Sequence, residues 1–320
     1  MTLYVGLLIM IVSEAATLMH VEPFWSWNTP IAWTGFIIFA DAIVWRARGN
    51  SWMRSAPREF AALALVSIPL WLVFEGYNQI IDNWNYVGLP ENAALRYFGY
   101  AWSFATIWPA IFEGAEMIAV VRAGKGRKSG GAGGAGRAGG AGRSGGAGRE
   151  SAASSSQPDP PAPPGLPALS AAVGALMLAC PFVVSPAIAR YLAAPIWLGF
   201  LFFLDPINAR LGGASLLGDW RHGRNDRLVN LVLSGFLCGG LWEFWNYWSR
   251  TKWHYTVPIM EHVKIFEMPL PGYFGFPAFA LECFTMYVFV RVLYVRLKSG
   301  TTDVGRPDTT TPNAGHTIAL

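Results

Sequence analysis

Two apolar stretches each carry a carboxylate inside them. "LVFEGYNQ" (72–79) sets Glu75 and Asn78 three residues apart, and "LWEFWNYW" (241–248) repeats the spacing with Glu243 and Asn246. On a helix, residues three apart share a face, so each Asn can orient or hydrogen-bond its Glu. Farther along, "IFEGAEM" (111–117) holds Glu113 and Glu116, and "FPAFALECF" (276–284) holds Glu282. A carboxyl in apolar surroundings keeps its proton more readily than one in water, which suits it to act as acid and base. The expected site therefore uses Glu243 and Glu282 as an acid–base pair and Asn246 as the orienting amide. Glu75, Asn78 and Glu113 are the contribution of the other half of the chain. All six are expected to converge in the outer half of a bilayer, where an isolated charge costs about 2 kcal/mol or more. The same residues also suit a structural role, Glu and Asn bonding across helices.

The elements that must position these groups follow from composition. The chain has 320 residues, 53% hydrophobic and 14% charged, against roughly 25% charged in soluble domains. Apolar runs predict helices over 2–19, 30–47, 60–80, 98–122, 167–188, 191–208, 229–248 and 272–296, an all-α polytopic membrane protein. The first run lacks a basic leader and contains Glu14, so it reads as a retained helix and not a cleaved signal. Cys180, Cys238 and Cys283 fall within predicted helices without paired spacing and read as small apolar residues.

Between the fourth and fifth runs lies a Gly-, Ser-, Pro- and Arg-rich stretch, too polar to bury anything and expected to be a disordered linker. The expected organisation is a first four-helix repeat (1–122), a cytoplasmic linker (123–166), a second four-helix repeat (167–298) and a disordered cytoplasmic tail (299–320). Most of the 24 lysines and arginines fall in 46–58, 122–149, 208–227 and 291–306. Eight alternating helices put all four regions on one side, which the positive-inside rule makes cytoplasmic along with both termini. The basic residues are thus a topology signal rather than a nucleic-acid surface.

The halves repeat. "WTGFIIFAD" (33–41) and "WLGFLFFLD" (197–205) share Trp, Gly, two Phe and Asp in register, 164 residues apart. Glu75 and Asn78 precede Glu243 and Asn246 by 168 residues, and the same offset matches "LRYF" (95–98) with "VKIF" (263–266) and Pro109-Ala110 with Pro277-Ala278. An even helix count makes the copies parallel, related by an axis along the membrane normal. Symmetry lapses at one place, since Glu113 aligns with Leu281 and Gly114 with Glu282. Asp41 and Asp205 close the second helix of each copy and are expected near the headgroups.

The outer loops 82–92 and 251–276 are rich in Trp, Tyr and Pro, which suits an interfacial aromatic belt or an ordered cap. His254 and His262 are eight residues apart, with no established metal-ligand spacing. Phosphate-binding, dinucleotide-binding, nucleophile-elbow and zinc-protease motifs are absent, as are aspartate-rich diphosphate-binding repeats, so no cofactor and no metal are expected. "WEFWNYWSRTKWHYTVP" followed by "IFEMPLPGYFGFPAFALE" resembles a family of functionally uncharacterised bacterial multi-pass membrane proteins, which implies a bacterial inner-membrane location and no particular activity. The chain is more loosely similar to the membrane-embedded lycopene cyclases, which also use repeated short helix bundles with intramembrane carboxylates, although their Pro-x-Glu-Glu element is missing. The reading that results is an intramembrane enzyme acting on a lipid or isoprenoid through glutamates. A proton- or cation-coupled transporter and a non-catalytic membrane scaffold are the alternatives. The expected partner is membrane lipid or an apolar small molecule, with no nucleic acid.

Overall fold

The computed structural model describes residues 1–131 and 165–300, with side chains up to 124 and from 165 to 298. Most of the expected linker (123–166) and the tail lie outside the described residues. The first half contains α1 (Thr2–Leu18), α2 (Phe24–Arg48), the short α3 (Trp52–Ser55), α4 (Pro57–Ile81), strand β1 (Trp84–Val87) and α5 (Ala93–Gly131). The second half contains α6 (Leu166–Val183), the short α7 (Pro186–Ala189), α8 (Ala193–Arg210), the short α9 (Leu216–Arg221), α10 (Asp226–Trp248), strand β2 (Lys252–Tyr255) and α11 (Gly275–Gly300). Before α11 come the two-residue strands β3 (Lys264–Ile265) and β4 (Met268–Pro269) and a 3-10 turn, Leu270–Phe274.

Among the described residues, six helices are long and apolar enough to cross a bilayer: α2, α4, α5, α6, α10 and α11 with its preceding turn. The chain is therefore an all-α membrane protein with little sheet. The apolar α1 has 17 residues and is shorter than those six.

Local chemistry sets the boundaries. Helix α2 starts earlier than apolarity alone predicts, because its first turn carries Trp, Ser and Asn and bends at Trp27 (φ −124°, ψ 31°). Three residues later Pro30 has no amide to donate to the ladder. Gly49 ends α2 in the left-handed region (φ 75°), where glycine meets no side-chain penalty. Pro57 opens α4 at a position whose amide would be unpaired anyway.

Helix α2 packs on α1 and α5, α4 on α5, α8 on α6 and α11, and α10 on both α11 and α5. The crossings α1–α2 and α6–α8 are made by paired glycines. A Cβ on Gly6 would stand 2.6 Å from the Gly35 carbonyl oxygen, and one on Gly174 would stand 2.8 Å from that of Gly199. Small residues at a crossing let backbones approach where lipid offers no hydrophobic drive to association. The α5–α10 seam joins the halves in the same way: a Cβ on Gly114 would lie 2.6 Å from Ser234 Oγ, and that hydroxyl donates to the Ile111 carbonyl at 2.7 Å.

At the arginine-rich end, Asp41 and Asp205 are buried rather than set among headgroups. Each holds the start of the short helix that follows. Asp41 accepts from the Met53 amide at 3.1 Å. Asp205 accepts from the Leu216 and Leu217 amides at 2.7 and 3.1 Å and from Ser215 Oγ at 2.6 Å. A carboxylate offered to otherwise unpaired amides at a helix start is the usual capping arrangement.

Candidate functional site

At the opposite end, Asp82 ends α4 in the left-handed region (φ 48°) and turns the chain into β1. Strands β1 and β2 pair antiparallel across the two halves, Trp84 opposite Tyr255, Asn85 opposite His254 and Tyr86 opposite Trp253. Each strand is held by the Asn that the sequence singles out. Asn78 Oδ1 accepts from the Asn83 and Trp84 amides at 2.9 and 3.2 Å, and its Nδ2 donates to the Trp84 carbonyl at 2.7 Å. Asn246 does the same for Trp253, accepting its amide and donating to its carbonyl, both at 2.9 Å.

Each Glu is held by the tyrosine of the strand so placed. Tyr86 donates its phenol to Glu75 Oε1 at 2.6 Å, and Trp71 and Trp84 donate to the same oxygen at 2.7 and 3.3 Å. Tyr255 donates to Glu243 Oε1 at 2.8 Å and receives the Trp253 indole N–H at 2.8 Å. Burial and the neighbouring carboxylate push both phenols well above the ordinary tyrosine range, so both stay protonated.

Beneath the ribbon lies a cavity of about 400 Å³, lined from both halves. Its walls are chiefly rings, among them Trp71, Trp84, Trp197, Trp242, Trp253 and Phe279. Phe279 sits edge-on to Trp71 at 5.7 Å and to Trp197 at 5.4 Å between ring centres, within the range of favourable aromatic pairing. Tyr86 and Tyr255 belong to the lining, whereas Glu75 and Glu243 do not. The carboxylates stand one layer back, each behind its phenol.

The structure thus brings four of the six sequence-selected residues to the ribbon: Glu75, Asn78, Glu243 and Asn246. Glu282, fully buried, reaches the backbone amide of Phe200 on α8 at 2.9 Å. Glu113 is not at the ribbon. Its charged neighbours are Asp41 and Glu116, which pair with Arg54 and Arg48 at the arginine-rich end. The tyrosines and tryptophans of the ribbon are missing from the sequence-selected set. The signal for them is Trp-x-Tyr at 84–86 and again at 253–255, shortly after each Glu-x-x-Asn.

The loop after β2 is fastened to the ribbon by Glu267. It accepts from Lys252 Nζ at 3.0 Å and bonds His254 Nδ1 at 2.8 Å. Among the described residues no group of three His, Cys, Asp or Glu side chains could hold a metal ion, and His262 pairs with Glu261. Burial pushes the Glu267 carboxyl up, but the bonds and charges of His254 and Lys252 outweigh it and hold the group below the usual carboxylate range. A carboxylate depressed on folding adds stability that is complete above its unfolded value, about 4.3, and is lost as pH falls through its folded one. Amide exchange over 252–269 is therefore expected to accelerate below about pH 4.3. In Glu267→Gln it should be fast already at neutral pH and change little on acidification. Equal exchange in the two proteins at neutral pH would show that the fastening is not Glu267.

No family model, curated protein or solved structure matches this chain. The functional reading rests on the site alone.

Proposed function

We propose that the protein is an intramembrane enzyme that binds an isoprenoid or similarly apolar lipid in the aromatic cavity and rearranges it by proton transfer. One observation carries this reading: two phenol–carboxyl pairs, Tyr86–Glu75 and Tyr255–Glu243, stand behind a single ring-lined cavity. Ring walls favour an apolar ligand, and their faces stabilise a carbocation. One pair starts with its carboxyl protonated and the other with its carboxyl ionised; the first phenol gives its proton to a carbon–carbon double bond as its own carboxyl refills it. The cation is discharged when an adjacent carbon loses a proton to the second pair. The first carboxyl ends ionised and the second protonated, so atoms and charge balance without an oxidant or co-substrate. Glu282 and Glu113 are buried supports in this scheme, the first on the backbone of α8 and the second at the far end of α5.

In this reading eight helices cross the membrane as two parallel four-helix repeats, α1 and α8 adding to the six spans named above. The arginine-rich ends and both termini are cytoplasmic, in the cell membrane of a bacterium, and the ribbon faces outward. Several features support the repeat. The order long, long, short, long, strand, long recurs, with α7 inserted in the second half and β3, β4 and the 3-10 turn added before α11. Both halves have the glycine crossing, the Asp that starts the short helix and the Asn that holds the strand. Antiparallel pairing of β1 with β2 is what an axis along the membrane normal requires. Where Gly114 lets α5 close on α10, its counterpart Glu282 stands on α11, and rings of Trp71, Phe74 and Phe279 occupy the gap between α4 and α11.

The test is expression in a host that makes isoprenoids, followed by chromatography of total lipid and incorporation of deuterium from D2O. A new isomer carrying solvent deuterium is expected, and Glu243→Gln should abolish it. An unchanged lipid profile, together with ligand-driven proton or cation flux in proteoliposomes, would replace the enzyme with the transporter that parallel repeats also suit.

A further inference from the structure

A second cavity, of about 340 Å³, lies at the arginine-rich end of the second half, between the α8–α9 turn, the first turn of α10 and the last turns of α11. Phe284, Val288 and Val292 form its inner wall, and Arg227, Arg291 and Arg296 also line it. Gly213 keeps it open, since a Cβ there would stand 2.7 Å from Val292 Cγ2.

The arginines are poorly neutralised. Arg227 pairs with Asp219 and lies 5.2 Å from the Phe284 ring centre, yet its buried Nε has no hydrogen-bond partner. Asp219 is shared with Arg224, 3.1 Å away. Arg296 donates to the Leu211 carbonyl at 3.0 Å, a neutral partner. Arg291 lies near Tyr287, as does the carboxylate of Glu59. Among the described residues, these three cations therefore face one shared carboxylate and one more distant one.

We propose that this cavity binds an anionic phospholipid of the leaflet on the arginine side. Its phosphate lies among Arg227, Arg291 and Arg296, and an acyl chain follows Val288, Val292 and Val295. A soluble anion would use the guanidinium groups but not the valine wall, and a neutral lipid would use the wall but not the guanidinium groups. The conjunction selects an amphiphile with negative charge, as basic pockets between membrane helices generally do.

The test uses the full chain in non-ionic detergent, with lipid binding read by native mass spectrometry. Phosphatidylglycerol should bind at least tenfold more tightly than phosphatidylcholine. The double variant Arg291→Gln/Arg296→Gln should weaken phosphatidylglycerol roughly thirtyfold, as the loss of two interfacial cations implies. The Lys/Lys version should retain most of the binding. Val295→Trp, which crowds the wall at an exposed position and leaves every charge in place, should weaken it as well. Inorganic phosphate and glycerol 3-phosphate at millimolar concentration should leave the lipid bound. Equal binding of the two lipids, an unaffected Gln/Gln variant, or displacement of lipid by inorganic phosphate would each overturn the proposal.

Discussion

Turnover in the double variant Tyr86→Phe/Tyr255→Phe is expected to fall about 10²–10⁴-fold, the usual contribution of a positioned acid or base. Phenylalanine keeps the ring in the cavity wall and removes only the hydroxyl that stands between carboxyl and ligand. Because protonation and deprotonation are successive steps, either single variant should lose nearly as much as the pair, and the losses should not multiply. Deuterium incorporation from D2O into the lipid product measures the effect. The two singles should differ in stability. Glu75 Oε1 keeps the indole donors of Trp71 and Trp84 when Tyr86 loses its hydroxyl. The Tyr255 hydroxyl makes two bonds at once, donating to Glu243 Oε1 and accepting the Trp253 indole N–H, and Tyr255→Phe breaks both. Tyr255→Phe is thus the more destabilising change. Wild-type deuterium incorporation in the double variant would remove the phenols from the reaction.

Replacing Asn246 with leucine is expected to cost about 2–5 kcal/mol, the range for leaving a buried backbone amide and carbonyl unpaired. The size of the side chain hardly changes, so packing is preserved and the hydrogen bonds are isolated. Both groups of Trp253 that bond Asn246 belong to β2, so the loss should appear first as faster amide exchange in that strand. Asn78→Leu should behave alike, with β1 as the strand affected. Asn246→Asp is the informative companion, since it can still accept from the Trp253 amide but cannot donate to its carbonyl. Thermal unfolding in detergent, followed by tryptophan fluorescence, gives the comparison. A leucine variant as stable as the parent would show that β2 is held by its pairing with β1 alone.

How far the sequence reaches can be argued from these same residues. Glu75, Asn78, Glu243 and Asn246 are legible because polar groups in apolar runs are costly and therefore sparse. Their repetition at one spacing is hard to produce by chance. Trp84, Tyr86, Trp253 and Tyr255 are illegible by the same criterion, because aromatic residues near a membrane end are ordinary and a four-residue strand has no periodicity to detect. The match of "LRYF" to "VKIF" is of another kind. Residues 95–98 lie in α5, whereas 264–265 form β3, so similar letters there carry no common structure. Hydropathy places α1, α4, α8, α10 and α11 to within about four residues, whereas α2 begins at Phe24 and α5 runs from Ala93 to Gly131, well beyond the apolar runs 30–47 and 98–122. Glu113 shows the remaining gap. A residue's depth along its helix can be counted, but which neighbours meet it depends on how helices are paired, and here they are Asp41 and Glu116.

In the ribbon, side chains alternate between the two faces of each strand. Trp84 and Tyr86 line the cavity while Asn85 between them is exposed, and Trp253 and Tyr255 line it on either side of His254. A slip of one residue in either strand would therefore turn that strand's phenol outward and present Asn85 or His254 to the cavity in its place. Nothing intermediate exists, because the alternation has a period of two. The Asn78 and Asn246 clamps fix the backbone of Trp84 and Trp253 and exclude that slip. If the two phenol–carboxyl pairs act in sequence as proposed, misregister of either strand alone is expected to silence the site: it replaces one acid with an amide or an imidazole, and the other pair cannot complete the proton transfer.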